Sequence, residues 1–124
     1  MHTRILMMLS AALMAIIGTA FSFMPHEVLG LHGTTPDNAT VMLIRMAGAA
    51  YLGFAILNWT ARGILMGGIY ARPVALGNAL HFWMIAIMLV RAAFTFGAVP
   101  LIISAAVFSV FAAWFGYVLF RPPV

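Results

Sequence analysis

The stretch Gly77–Arg91 reads GNALHFWMIAIMLVR, and three of its side chains, Asn78, His81 and Arg91, can hydrogen-bond, move a proton or carry charge in an otherwise apolar run. Gly77, His81, Met84, Met88 and Arg91 recur at steps of four and three, so a helix sets them in one stripe. Ionisable groups in a membrane segment are costly and usually face other helices or a water-filled cavity. The stripe is therefore expected on the inner face of a helical bundle. Arg45 is a second cation inside an apolar segment. Arg45 and Arg91 both fall roughly 7–9 Å beneath the same membrane boundary at about 1.5 Å per helical residue. Two cations at one depth repel unless each has a partner. Glu27 and Asp37 are the only carboxylate side chains in the chain. At least one arginine–carboxylate pair is thus expected to close the outer end. The functional reading of the same cations is a site for an anion or polar headgroup. The plainer reading is that they snorkel outward or tie down the loop.

His81 lies deeper, with Asn78 one turn earlier and Tyr51 expected nearby on another helix. An interhelical hydrogen bond is the bland role. A proton relay is another, and axial ligation of a haem or chlorophyll-type pigment a third. A bis-histidine haem is excluded by position, because His2, His26 and His32 are terminal or in a loop. His26 and His32, with Glu27 and Asp37, match no standard metal spacing, so no metal site is assigned. The ten methionines include Met42 and Met46 at i, i+4, and thioethers suit Cu(I). Met is also an ordinary filler of apolar helices.

Reactive groups are otherwise scarce. There is no Cys and no Lys, which removes thiolate, disulfide, Schiff-base and phosphate-loop chemistry. Ser10, Ser22, Ser104 and Ser109 sit on apolar helices, where Ser packs or bonds to its own backbone. No catalytic set emerges, and an enzyme is not the favoured reading.

The elements that must position these residues are membrane spans. The chain has 124 residues, 65% hydrophobic and 6% charged, where a soluble domain carries about a quarter charged residues. Four spans are expected, at about 5–24, 39–60, 74–96 and 101–120, within one transmembrane domain. The first also has the basic start, apolar core and small residues of a signal peptide, and it is read as a retained span ended by Pro25. Residues 25–39 read as the most polar loop. In it Thr35-Pro36-Asp37 is a helix start, with Thr35 as N-cap. The second span carries Gly48, Ala49, Ala50 and Gly53, with Ala49 and Gly53 a small-xxx-small pair, and Trp59 at its far end. Gly63, Gly67 and Gly68 mark the 61–73 connection as flexible or as a short interfacial helix. Gly97-Ala98-Val99-Pro100 reads as a tight turn. The fourth span has its own small face: Ala105, Ser109, Ala112, Ala113 and Gly116.

The net charge of +4 is spread over single arginines rather than a patch, so no nucleic-acid partner is implied. Arg4, Arg62, Arg72 and Arg121 flank one side of the spans. By the positive-inside rule both termini and the middle loop are cytoplasmic, and loop 25–39 faces outward. The expected fold is an all-α, four-helix antiparallel bundle in the lipid bilayer of a bacterial inner membrane.

The segments RMAGAAYLGFAILNW (Arg45–Trp59) and LVRAAFTFGAVP (Leu89–Pro100) resemble the second- and third-helix signatures of small DoxX-like four-helix membrane proteins. The likeness covers about half the chain. It implies that Arg45, Gly48 and Arg91 occupy family positions. It also implies a four-span fold and an accessory role, since the group includes scaffolds for membrane enzymes and chaperones of membrane receptors. The family has no single chemistry.

The expected function is a non-catalytic accessory or scaffold subunit, packing through small-residue faces against other membrane subunits or its own copies. The alternative is a binder, or an enzyme, for a bound lipid or other small anionic molecule. Its pocket would lie between spans two and three, lined by Arg45, Arg91, Tyr51, His81 and Asn78. A pigment- or haem-binding subunit through His81 is the third reading.

Overall fold

A computed structural model describes residues 2–31, 37–63 and 72–120. They form α1 (His2–Phe23), α2 (Pro25–Leu31), α3 (Asn38–Thr60), α4 (Arg72–Phe96) and α5 (Val99–Phe120). Four of these, α1 from Thr3, α3, α4 and α5, are long and apolar enough to cross a membrane. At about 1.5 Å per residue each exceeds the ~30 Å hydrocarbon core. The chain reads as a multi-pass integral membrane protein.

Two stretches differ from the sequence expectation. The polar loop begins with a helix, α2. Pro25 has no N–H to donate to the Phe21 carbonyl, so α1 stops there. Yet proline's fixed φ suits the first position of a new helix, and Val28 N–H donates to Met24 O at 3.1 Å. The second difference is the N-cap of α3, which is Asp37 rather than Thr35. Asp37 is extended (φ −102°, ψ 172°), and its carboxylate accepts the Thr40 N–H at 2.7 Å. That satisfies one of the four amides a helix start leaves open. The Thr40 hydroxyl, then its N–H, hold the Asp37 carboxyl below its ordinary 3.8. Thr35, Pro36 and the Gly67–Gly68 connection lie outside the described residues.

The chain divides into two compact units, Met7–Arg62 and Gly63–Val124 with Met1–Leu6. In the first, α1 and α3 run antiparallel. Ser10 meets Asn58, Gly18 meets Leu52, and Ser22 meets Gly48. Glycine is required at two of these crossings. A Cβ on Gly18 would stand 2.8 Å from Leu52 Cγ and 2.9 Å from Leu52 N, and one on Gly48 would stand 2.7 Å from Ser22 N. The two backbones touch, as small residues permit in membrane helices. At its C-terminus α3 is closed by Arg62, whose guanidinium donates to Trp59 O at 2.6 Å and lies 4.2 Å from the Trp59 ring centroid. A cation there complements the helix dipole.

In the second unit α4 and α5 form a hairpin through Gly97 and Ala98. Gly97 takes φ +66° and returns its N–H to Ala93 O at 2.8 Å. A side chain would strain that left-handed position. Pro100 sits in the first turn of α5, where a missing N–H costs nothing. Phe82 is wholly buried among Phe108, Phe111 and Phe115, with ring centroids 5.5, 5.3 and 5.3 Å away. Beside it, Trp83 Nε1–H donates to Ala112 O at 2.9 Å. The indole lies over Gly116, where a Cβ would come within 3.2 Å of it. Ala105 and Ala112 are buried, so much of the small face of span four is used by the chain's own α4.

Candidate functional site

On α4 the buried face is Ala75, Asn78, Ala79, Phe82 and Ala86. The expected inner stripe is therefore displaced. Gly77 and His81 are half-buried, and Met84, Met88 and Arg91 are exposed. One residue of register turns a helix face by about 100°. The alanines and Phe82 win the seam because they let α5 approach closely and fill the space between. His81 sits on the edge of that seam. Its imidazole is 5.0 Å edge-on from the Phe82 ring and 6.4 Å from Phe108. Asn78 is wholly buried, and its amide donates to Val74 O on its own helix at 2.9 Å. Asn78 and His81 thus share one turn of the hairpin.

Arg45 and Tyr51 belong to the other unit. Tyr51 is half-buried, with its ring edge-on to Phe21 at 5.9 Å. Arg45 is exposed on α3. Glu27, His26 and Asp37 are exposed too, and the Asp37 carboxylate holds the start of α3. Among the described residues, Arg45 makes no ion pair with Glu27 or Asp37. The Asp37 carboxylate caps its own helix, and the expected closure by at least one arginine–carboxylate pair is not made by Arg45 among the described residues. His32 lies outside the described residues. Among those that are described, no three His, Asp or Glu side chains gather as a metal would need.

The polar centre that sequence reasoning missed is Asn58 with Ser10. Both are wholly buried. Asn58 Nδ2–H donates to Ser10 Oγ at 3.0 Å, and Ser10 Oγ–H donates to Met7 O at 3.0 Å. The amide thus joins α3 to α1 through a hydroxyl that also returns to its own backbone. A signal was present. Asn58 is an amide next to Trp59 in an otherwise apolar run.

Beside these buried centres α3 carries one long face that is exposed among the described residues. Met42, Met46, Ala49, Gly53 and Ile56 step by four, three, four and three along α3, and all are exposed. Among the described residues, nothing lies within 4 Å of where a Cβ on Gly53 would stand. Arg45 borders this face, one turn before Ala49. A comparison with protein-family models, curated proteins and solved structures found no match to this chain.

Proposed function

We propose that this protein is a non-catalytic packing subunit of a membrane assembly, docking through the α3 face of Met42, Met46, Ala49, Gly53 and Ile56. The observation that carries this reading is the contrast between two glycines on one helix. Gly48 is pressed against Ser22. Gly53 meets none of the described residues where its Cβ would stand, and it lies between apolar side chains at helical spacing. The benefit of a glycine in a membrane helix comes when another backbone approaches it closely. The bordering Arg45 supports the same reading, because a guanidinium along a span is sheltered best by protein or a polar group. In this reading the four spans close as a DoxX-like antiparallel bundle with both termini cytoplasmic, in a bacterial inner membrane.

The absence of native cysteine makes the test clean. Ala49→Cys and Gly53→Cys are oxidised in native membranes, with Ile87→Cys on α4 as the control. Cross-linked species of defined mass at 49 and 53 but not at 87, together with loss of that mass on Gly53→Ile, are the expected outcome. Monomer only at 49 and 53, or cross-linking equal at all three positions, overturns the proposal.

A further inference from the structure

Near the turn of the α4–α5 hairpin, Val90, Ala93, Phe94, Ile102 and Ala105 line an open cleft of about 320 Å³. Every lining side chain is a hydrocarbon, so nothing there can orient a polar or aqueous ligand by hydrogen bonds. The cleft lies on two helices long and apolar enough to cross a membrane, and in a bilayer acyl chains would surround it. Arg91 is exposed and stands three residues before Phe94, hence beside it on the helix surface. It is about five residues, or roughly 7–8 Å, from the end of α4, within snorkelling reach of the headgroup layer. Thr95 Oγ1–H donates to Arg91 O at 2.9 Å.

We infer that this end of the hairpin is a binding site for one anionic phospholipid. An acyl chain lies in the cleft and the Arg91 guanidinium holds the phosphate. Guanidinium matches phosphate by charge and by its paired donors. A zwitterionic lipid would fill the cleft equally well but would offset the phosphate charge with its own cation. The site is confined to α4 and α5 and does not depend on the α3 docking face.

Native mass spectrometry of the detergent-purified protein tests this, using phosphatidylglycerol and phosphatidylcholine of identical chains. One cation near a membrane surface predicts about a fivefold preference for phosphatidylglycerol. Arg91→Gln should abolish the preference and Arg91→Lys should keep most of it. Ala93→Leu, which fills the cleft, should reduce retention of both lipids. Excess inorganic phosphate should not displace bound phosphatidylglycerol, because the acyl chain holds it. Equal retention in the wild type, a preference that survives Arg91→Gln, undiminished retention in Ala93→Leu, or displacement by phosphate alone would each overturn the inference.

Discussion

Replacing Gly48 and Gly53 by alanine, one at a time, sets two opposite effects on a single helix. At Gly48 the new methyl would meet Ser22 Oγ at 2.5 Å, Ser22 N at 2.7 Å and Phe21 Cβ at 2.9 Å. The Ser22 hydroxyl can rotate away. A backbone nitrogen and a Cβ cannot move without their helix. Going from 2.7 Å to the 3.4 Å of ordinary contact requires about 0.7 Å of local separation between α1 and α3. A gap of that size forfeits about a quarter to a half of each pairwise dispersion well along the crossing. Overpacking of this kind costs about 1–3 kcal/mol. At Gly53 the same methyl meets none of the described residues, and helix propensity alone favours alanine by about 0.8–1 kcal/mol. The two variants should therefore differ by about 2–4 kcal/mol in opposite directions from the wild type. Reversible unfolding in detergent with increasing SDS, followed by circular dichroism, measures this. If Gly48→Ala is as stable as Gly53→Ala, the close α1–α3 crossing is wrong, and with it the contrast that supports a docking face on α3.

The buried pair of Ser10 and Asn58 should behave as one unit in a double-mutant cycle of Ser10→Ala and Asn58→Leu. The coupling expected is about 0.6 kcal/mol and at most about 1.7 kcal/mol, the range for hydrogen bonds between membrane helices; additive losses in the same unfolding assay would contradict the bond. Asp37 makes a pH prediction. Its folded pKa is lowered by Thr40, so the cap is intact above the unfolded value near 3.8 and weakens as pH falls through the lower folded value. The protection factor of the Thr40 amide, taken against its intrinsic exchange rate at each pH, should fall only below about pH 4, and should stay flat over that range in Asp37→Asn.

The spans were legible in the sequence for a reason that also hid the seam between them. Hydrocarbon-length apolar runs bounded by Pro25, Gly97 and Pro100 need no knowledge of packing. The same uniform apolarity leaves a helix with no polar face to turn outward, so periodicity cannot say which stripe is inside. Polar residues were the only markers, and they mark the interior imperfectly. His81 lies at the edge of the α4–α5 seam. Arg91 lies outside it, because a long guanidinium stem can leave the helix for the headgroup layer while its backbone stays in place. Asn58 cannot do this: its amide is short, so burial against Ser10 is its available solution. Side-chain length, more than polarity, thus separates the residues that report the core from those that report the membrane surface. The local ends followed a similar logic. Thr35 and Asp37 are both good caps by type, and the choice rests on which oxygen reaches an open amide. Asp37 reaches Thr40 N–H at 2.7 Å, so the helix begins after it. Arg45 lies two turns further along α3 and makes no ion pair with Asp37 or Glu27 among the described residues, so its neighbours Ala49 and Gly53 are the place to look for a partner that shelters it.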